Sequence, residues 1–194
     1  LGRFNVANLL ASIAGAMALG VSVDDIIAGV PNLQGATGRM DRVPSNVGAF
    51  IVDYAHTPDA LEQVLISLKP HCDGRLWVVF GCGGDRDKGK RPLMTQVALR
   101  LADQVILTAD NPRTEDPHAI LLDMQAGMSQ AQHNKTVVQP DRKAAIHYAV
   151  RQADANDIVV IAGKGHETYQ EINGVRYDFD DRVMIAEALK LRQD

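Results

Sequence analysis

Four polar segments of the sequence contain the charged, amide and imidazole side chains that could bind a ligand or take part in a reaction. They are Asp-Tyr-Ala-His (53–56), Gly-Cys-Gly-Gly-Asp-Arg (81–86), Asp-Asn-Pro-Arg (110–113) and Gly-Lys-Gly-His-Glu (163–167). Each segment closely follows a short apolar run of the kind that forms a buried strand. Because ligands of an open parallel sheet bind outside the carboxyl ends of its strands, we expect the four segments to meet in one crevice.

The glycine-rich segment resembles part of a phosphate-binding loop. Residues 84–90 match G-x-x-x-x-G-K, in which backbone amides and a lysine surround phosphate groups. A complete loop of this kind continues with Ser or Thr, whose hydroxyl binds Mg²⁺, whereas Arg91 and Pro92 follow here. The dinucleotide-binding pattern also fails, since residues 81–83 have no third glycine in register. The spacing alone leaves two alternatives: a turn that brings Arg86 into a pocket, or a flexible charged loop.

The apolar runs alternate with helical segments, which predicts an α/β domain with a Rossmann-like, mostly parallel sheet and helices on both faces. The predicted strands cover residues 49–52, 76–80, 105–107 and 158–161. Helices are predicted to begin at Thr57-Pro58, Asp116-Pro117 and Asp141, where a capping side chain precedes the first turn. A C-terminal hairpin is expected over residues 168–179 around Asn173-Gly174, followed by a last helix over residues 182–191.

Residues 1–38 differ from the rest of the chain because they predict helices and no strand. Val6, Leu9, Leu10, Ile13 and Met17 recur at helical spacing, and Ser22 begins a second helix that Pro31 ends. Two helices without a strand cannot complete a core, so we interpret residues 1–38 as an incomplete neighbouring domain and residues 39–194 as the α/β domain. The linker is expected near residues 35–43. The chain begins with Leu1 rather than Met, which suggests a piece of a longer protein.

The composition disfavours several classes of protein. With 194 residues, 46% of them hydrophobic, the chain can bury a sizeable core. A net charge of −4 with scattered Lys and Arg disfavours nucleic-acid binding. No apolar run reaches the roughly 18 residues that span a membrane. The two cysteines, Cys72 and Cys82, lack disulfide or metal-ligand spacing, so we expect a reduced cytoplasmic protein.

The polar segments, taken in order, resemble those of a known family. Gly-Cys-Gly-Gly-Asp-Arg-Asp-Lys-Gly-Lys-Arg (81–91), Asp-Asn-Pro-Arg (110–113) and Gly-Lys-Gly-His-Glu (163–167) are similar to the C-terminal domain of the Mur ligases that add meso-diaminopimelate. Phe-Asn-Val-Ala-Asn (4–8), Gly-Arg-Met-Asp (38–41) and Asp-Tyr-Ala-His-Thr-Pro-Asp (53–59) extend the resemblance over nearly the whole chain.

The resemblance implies an ATP-dependent acid–amino-acid ligase of peptidoglycan precursor synthesis. With ATP and Mg²⁺ as cofactors, the D-glutamate carboxylate of UDP-N-acetylmuramoyl-L-Ala-D-Glu would be phosphorylated, and the amine of meso-diaminopimelate would attack the acyl phosphate. In this family the phosphate loop, the magnesium ligands and the uridine site lie in other domains. Residues 1–38 would then be the last helices of the central ATP-binding domain. We therefore expect no catalytic group and no metal ligand in this chain, and no ligase activity from it alone.

The same resemblance implies residues for the ATP site. Asn5 and Asn8 would contact adenine, Arg39 the phosphates and Asp53 the ribose hydroxyls, with His56 alongside the nucleotide. Residues 35–39 would form the hinge on which the domain closes over ATP.

The amino-acid pocket follows from the chemistry of diaminopimelate, which carries a second ammonium and carboxylate at its far end. A planar cation suits that carboxylate because the cation can donate two parallel hydrogen bonds to it. We therefore assign the binding of the far carboxylate to Arg113. The remaining pocket residues are Arg86 for a carboxylate, Asp110 and Asn111 for polar contacts, and Glu167 with the Gly163 carbonyl for the distal ammonium. Lys164 and His166 receive no role.

Three alternatives remain at this point. Arg113 could form a structural ion pair with Glu115 or Asp116, although Pro112 fixes the turn in a way that projects the arginine outward. A lysine-adding Mur ligase or a folylpolyglutamate synthetase would share the sheet and the ATP wall, but a lysine pocket has no use for Arg113. A non-catalytic module that binds a nucleotide or an amino acid belongs to a different class, and a G-T-x-G-K-[ST] motif upstream would argue against it.

Overall fold

The computed structural model describes residues 3–33 and 35–193 of the chain. Within them the helices are α1 (Arg3–Ala18), α2 (Val23–Gly29), α3 (Pro58–Leu68), α4 (Lys90–Leu101), α5 (Pro117–Gln125), α6 (Gln130–His133), α7 (Arg142–Gln152) and α8 (Asp181–Gln193). The strands are β1 (Asp41–Val43), β2 (Ala49–Asp53), β3 (Leu76–Phe80), β4 (Gln104–Leu107), β5 (Thr136–Val138), β6 (Ile158–Ala162), β7 (Tyr169–Ile172) and β8 (Val175–Asp178). Short 3₁₀ turns follow α2 at Val30–Asn32 and α3 at Lys69–His71.

The main sheet has six strands in the order β1-β2-β6-β3-β4-β5, and every pair except β1 with β2 is parallel. Ala162 at the end of β6 lies opposite both Asp53 of β2 and Phe80 of β3, so these three strands end at the same level. The mostly parallel sheet predicted from the apolar runs is confirmed. The polar segments that follow the strands therefore begin at one edge of the sheet.

Two edge strands of the sheet were not predicted. β1 falls inside residues 35–43, which were expected to be a linker, and that expectation is wrong for residues 41–43. β1 and β5 have three residues each, and both include polar or charged side chains, so neither carries an apolar pattern. Pairing with β2 and β4, rather than local preference, makes them strands.

Helices cover both faces of the sheet, as the alternating pattern predicted. Successive residues of a strand point to opposite faces, so that Ile51 packs on one side and Phe50 on the other. α3, α4 and α5 contribute buried residues to the first side, and α7 and α8 contribute to the second. Every residue of β3 and β6 is buried, as expected of central strands covered on two faces.

The predicted helix starts are confirmed by their capping hydrogen bonds. Thr57 Oγ1 accepts from the Ala60 amide at 3.2 Å, and Asp116 Oδ1 accepts from the His118 amide at 3.0 Å. Asp141 caps α7 in the same way. These side chains satisfy amide groups that have no partner inside the helix.

The C-terminal hairpin is also confirmed, and its strands β7 and β8 pair antiparallel. Asn173 and Gly174 form the turn with φ values of +50° and +74°. Two successive residues with positive φ are the requirement of the tight hairpin turn that Asn-Gly favours.

The N-terminal helices expose much of their apolar surface within the described part of the chain. Val6, Leu10 and Met17 of α1 are 57%, 60% and 50% exposed. Ser22 caps α2 by accepting from the Asp25 amide at 3.1 Å, as predicted. The interpretation of residues 1–38 as an incomplete domain stays a prediction.

Arg142 and Asp181 are the first residues of α7 and α8, and they form a fully buried ion pair. The Nε and Nη2 of Arg142 donate to the two carboxylate oxygens of Asp181, each at 2.8 Å. The same guanidinium donates to the carbonyls of Ala109 at 3.2 Å and Ala162 at 3.1 Å. Ala162 ends β6 and Ala109 lies shortly after β4, so one side chain ties two strand ends to the last helix.

Replacing Arg142 with Met is expected to lower the free energy of unfolding by about 3–5 kcal/mol, because the Asp181 carboxylate stays buried without its partner. Chemical denaturation of this chain measures the loss. Lys143→Met is the matched control, since Lys143 pairs with Glu187 at the surface and its removal should cost less than about 1 kcal/mol. Equal losses from the two variants would contradict the role given to the buried pair.

Candidate functional site

A cleft of about 330 Å³ opens where the polar segments meet. It is lined by Tyr54, His56, Thr57, Gly81, Cys82, Gly83, Arg86, Asp87, Lys90, Asp110, Asn111, Arg113, Gly163 and Glu167. All four segments singled out in the sequence contribute to this lining. The lining carries cations and carboxylates together, which suits a ligand that bears both charges.

The structure brings together one of the two predicted residue sets. All six residues predicted to bind the amino acid line the cleft: Arg86, Asp110, Asn111, Arg113, Gly163 and Glu167. Of the five predicted to bind ATP, only His56 lines it. Arg39 stacks on Tyr54, which lines the cleft, and Asp53 is the last residue of β2, directly before Tyr54. Asn8 is exposed on α1. Asn5 lies in α1 also, but its side chain is outside the described part of the structure.

Asn111 is the centre of a buried polar network on one wall of the cleft. Its side-chain amide donates to Glu167 Oε2 at 2.8 Å. Its Oδ1 accepts from Lys164 Nζ at 3.1 Å and from the Glu171 amide at 2.9 Å. Lys164 in turn donates to Glu167 Oε2 at 3.2 Å. Hydrogen bonds among Asn111, Lys164, Glu167 and the Glu171 amide thus hold this wall of the cleft. The sequence analysis gave no role to Lys164.

Arg113 reaches the cleft from a strained turn. Its φ is +52°, a left-handed conformation uncommon for a residue with a side chain. Its amide donates to the Glu171 carbonyl at 3.0 Å, so the β7–β8 hairpin holds this turn in place. Nη1 donates to the Gly84 carbonyl at 2.7 Å. Within the described residues Arg113 forms no ion pair, so the alternative of a structural bridge to Glu115 or Asp116 is wrong.

Glu115 pairs instead with Arg91, the residue that stands where a phosphate loop would have its hydroxyl. Arg91 is fully buried, and its guanidinium contacts Glu115 at 2.8 Å and Asp123 at 2.8 Å. It also donates to the Gly83 carbonyl at 3.3 Å. Glu115 accepts in addition from the Asp85 amide at 2.6 Å. Gly83, Asp85 and Arg91 are thus anchored to Glu115 and Asp123, which favours the turn over the flexible charged loop.

Gly81 and Gly84 of the glycine-rich segment are required by close packing against residues 108–112. A Cβ on Gly84 would lie 1.9 Å from the Pro112 carbonyl oxygen, and one on Gly81 would lie 2.4 Å from the Thr108 carbonyl oxygen. No side chain fits at either place. The two loops approach backbone to backbone, which brings Arg86 and Arg113 to the same cleft.

The side of the site predicted for ATP is built around Asp53 and Tyr54. Asp53 is 5% exposed, and its two oxygens accept from the Met40 and Ala55 amides, each at 2.8 Å. The guanidinium of Arg39 lies 4.6 Å from the centre of the Tyr54 ring, and the centre of the His56 ring lies 4.6 Å from the same point in an edge-on arrangement. A carboxylate has lone pairs beyond these two bonds, so the ribose role of Asp53 stays a prediction.

The predicted hinge packs directly against the Gly-Lys-Gly-His-Glu segment. A Cβ on Gly38 would lie 2.1 Å from the His166 amide nitrogen and 2.2 Å from the Gly165 carbonyl carbon. The Gly38 amide donates to Asp41 Oδ2 at 3.0 Å. Any movement of residues 35–39 therefore changes the packing of a segment that lines the cleft.

The described residues contain no group of three or more His, Cys, Asp and Glu side chains placed to hold a metal ion. No helix in the same part of the chain is long and apolar enough to cross a membrane. Cys72 and Cys82 are both free thiols. Burial raises the pKa of Cys82 to about 12, so this thiol of the cleft is poorly suited to act as a nucleophile.

The sequence matches the family described as Mur ligase, glutamate ligase domain, over residues 38–165. This match covers most of the chain. It includes three of the four polar segments in full and residues 163–165 of the fourth. The chain belongs to the Mur ligase family.

Several individual proteins of this family are similar to the chain. UDP-N-acetylmuramoyl-L-alanyl-D-glutamate--2,6-diaminopimelate ligase of Pseudomonas putida is 52% identical over 190 residues, which are 97% of this chain and 38% of that protein. The protein of the same name from Xanthomonas oryzae is 54% identical over 192 residues, 97% of this chain and 38% of that protein. A solved structure of a ligase of this name covers 100% of this chain and 40% of its own, with a TM-score of 0.81 at 54% identity. The chain thus spans about two fifths of the length of these relatives.

The Arg91–Glu115 pair makes a prediction about acid stability. The hydrogen bond from Arg91 is the largest of the effects that lower the pKa of Glu115 from 4.5 to about 2. A carboxyl group whose folded-state pKa is depressed stabilises the fold above its unfolded pKa, and that contribution is lost as the pH falls through the folded pKa. Glu115→Gln should therefore destabilise the chain at pH 7 and flatten the dependence of its stability on pH between 4.5 and 2.

Thermal denaturation of both proteins from pH 7 to pH 2 measures this slope. Glu62→Gln is the matched control, because Glu62 forms a surface ion pair with Arg100. The control should leave the slope close to that of the unaltered chain. If Glu115→Gln leaves the slope unchanged, the ion pair with Arg91 does not lower the pKa of Glu115, and the prediction is wrong.

Proposed function

We propose that this chain is the C-terminal part of an ATP-dependent ligase that adds meso-diaminopimelate to the D-glutamate of UDP-N-acetylmuramoyl-L-Ala-D-Glu. Residues 1–38 are the last helices of a central ATP-binding domain, and residues 39–194 form the C-terminal domain. The observation that carries the proposal is that the cation Arg113 and the carboxylate Glu167 line one cleft. The free thiols of Cys72 and Cys82 support a reaction in the cytoplasm.

The reaction proceeds in two steps. The D-glutamate carboxylate takes the terminal phosphoryl group of ATP, giving an acyl phosphate and ADP. The amine of diaminopimelate then attacks the acyl carbon, inorganic phosphate leaves, and the nitrogen loses its proton to form the amide. The residues of this chain bind and orient the amino acid, so their contribution is proximity and selectivity rather than proton transfer.

The far end of diaminopimelate carries opposite charges, and the cleft offers a partner for each. Arg113 donates one hydrogen bond to Gly84 and keeps its other N–H groups for the far carboxylate. Glu167 and the Gly163 carbonyl accept from the far ammonium, while Asp110 and Asn111 add polar contacts. Arg86, whose guanidinium bonds only to its neighbour's carbonyl at 3.2 Å among the described residues, takes the other carboxylate.

The nucleotide lies on the other side of the site in this proposal. Asn5 and Asn8 contact adenine, Asp53 the ribose, and Arg39 the phosphates, with His56 alongside. The stacking of Arg39 on Tyr54 supports this because it holds the guanidinium next to the cleft. We assign the Mg²⁺ ligands to the central domain, as the family resemblance implies.

Two other functions are distinguished by the same residues. The first is that of a ligase that adds lysine or extends folate with glutamate. The amino acid that such a ligase would bind, lysine or glutamate, does not carry both an ammonium and a carboxylate at its far end. A non-catalytic module would bind a ligand without turnover. The joint presence of Arg113 and Glu167 in one cleft favours the diaminopimelate ligase over both.

Arg113→Lys in the complete ligase is expected to lower kcat/KM for meso-diaminopimelate roughly ten- to a hundred-fold, because the planar pair of hydrogen bonds becomes one at best. Activity with L-lysine, which has no far carboxylate, should hardly change. Steady-state kinetics with the two amino acids measures the difference.

Arg100→Lys is the matched control, since Arg100 lies on α4 and pairs with Glu62 at the surface. It should leave both activities unaltered. If Arg113→Lys lowers the two activities by the same factor, Arg113 is a structural residue and does not read the carboxylate.

The chain alone is expected to form no product from any amino acid, because the phosphate loop and the uridine site belong to other domains in this proposal.

Calorimetric titration of the chain alone should show weak or no binding of ATP, since Arg39, Asp53 and His56 make only one wall of the nucleotide site. A submicromolar Kd, about −8 kcal/mol or better, would contradict this division of the site between domains.

A further inference from the structure

Lys164 is a fully buried lysine that contacts the wall of the cleft without lining it. Its Nζ donates to Asn111 Oδ1 at 3.1 Å and to Glu167 Oε2 at 3.2 Å, and it lies 5.5 Å from the centre of the Tyr169 ring. Because Lys164 is fully buried and does not line the cleft, the proposed function does not use it as a ligand-binding group.

The stability of the fold does not explain a lysine at this position. Burying an ammonium is strongly unfavourable unless it is paired and hydrogen-bonded. Replacing both partners of a buried ion pair by packed hydrophobic residues is often neutral or stabilising, so Lys164 and Glu167 together contribute little net stability. The reason for the lysine is therefore to be found in the groups that it contacts.

Glu167 is the contact that reaches the cleft. Its Oε2 accepts two hydrogen bonds, from Lys164 Nζ at 3.2 Å and from Asn111 Nδ2 at 2.8 Å. No hydrogen bond from the described residues reaches Oε1. The carboxylate is thus held by one oxygen, with the other left for a donor that is not part of this chain.

Asn111 makes the same arrangement rigid. Its Oδ1 accepts from Lys164 and from the Glu171 amide at 2.9 Å, which fixes the amide with its Nδ2 towards Glu167. Asn111 is 2% exposed, so water does not compete for these bonds. Two buried donors on one carboxylate oxygen restrict the rotation of Glu167, which an exposed glutamate would retain.

We propose that Lys164 is a positioning residue for substrate selectivity. It holds Glu167, directly and by way of Asn111, so that Oε1 accepts a hydrogen bond from the far ammonium of the incoming amino acid, and it acts only through Glu167. The proposal rests on the proposed function, since it takes Glu167 as the partner of that ammonium. It adds the residue that makes this glutamate selective.

The test compares two amino acids in the complete ligase. Meso-diaminopimelate has the far ammonium, whereas 2-aminopimelate keeps the far carboxylate and lacks the ammonium. Lys164→Met is expected to lower kcat/KM for meso-diaminopimelate about tenfold or more, mainly through KM, on the scale of one charge-assisted hydrogen bond. The kcat/KM for 2-aminopimelate and the KM for ATP should stay within about twofold.

Four further proteins complete the comparison: Lys143→Met, Glu167→Gln, the double variant of Glu167→Gln with Lys164→Met, and Lys164→Gln. Lys143→Met makes the same substitution at a surface ion pair and should change neither activity. Adding Lys164→Met to Glu167→Gln should change kcat/KM less than about twofold, because the two residues act through one interaction. Lys164→Gln keeps a donor for Asn111 without the charge, and it is expected to shift selectivity in the same direction.

Equal losses for the two amino acids in Lys164→Met, or additive losses with Glu167→Gln, would overturn the inference. So would an unaltered ligase that does not prefer meso-diaminopimelate to 2-aminopimelate, since the ammonium would then not be read. If neither Lys164 variant folds, the residue is structural and the positioning role is rejected. Failure of the proposed function is recognisable separately, because the unaltered ligase would then not use meso-diaminopimelate at all.

Discussion

The buried ion pair between Arg142 and Asp181 is the interaction on which the geometry of the cleft depends. The guanidinium donates to the carbonyls of Ala109 and Ala162 as well as to the carboxylate. The next residue after each of these alanines, Asp110 and Gly163, lines the cleft. Two walls of the site are therefore positioned by one side chain, which is itself held by the start of α8. A site needs this kind of support because small displacements of ligand-binding groups are costly.

Buried cations recur around this edge of the sheet. Arg91, Arg142 and Lys164 are the fully buried lysine and arginine side chains of the described chain, and each bonds to a residue that lines the cleft or to its immediate neighbour. Charges buried this way contribute little net stability, since desolvation opposes the attraction between partners. Their common location indicates that the fold accepts this cost where the positions of the residues that line the cleft must be maintained.

The cleft also links the two halves of the proposed site. Gly38, in the predicted hinge, packs against Gly165 and His166, and Arg39 stacks on Tyr54, which lines the cleft. The Gly-Lys-Gly-His-Glu segment thus contacts the hinge on one side and carries Glu167 on the other. In the proposed ligase, closure of the domain over ATP and binding of the amino acid would change the same contacts, so the two events are expected to be coupled.

The sequence by itself determined the features that depend on neighbouring residues. Thr57 and Asp141 indicated helix starts because a capping side chain bonds to amides two or three residues ahead, and Asn173-Gly174 indicated the hairpin because both residues accept positive φ. The apolar runs indicated the central strands, and the polar residues after them indicated which segments meet in the cleft. The family resemblance rested on those same local segments.

Only the tertiary structure decided the features that depend on residues far apart in the chain. β1 and β5 became strands through pairing with β2 and β4, since three residues carry too little pattern to be recognised. Lys164 lies between two glycines and looks like an exposed loop residue, yet Asn111, more than fifty positions earlier, takes part in burying it. Arg91 is likewise a buried anchor because Glu115 and Asp123 reach it from another segment. The burial of a charge depends on partners that packing brings together, and spacing along the sequence does not reveal those partners.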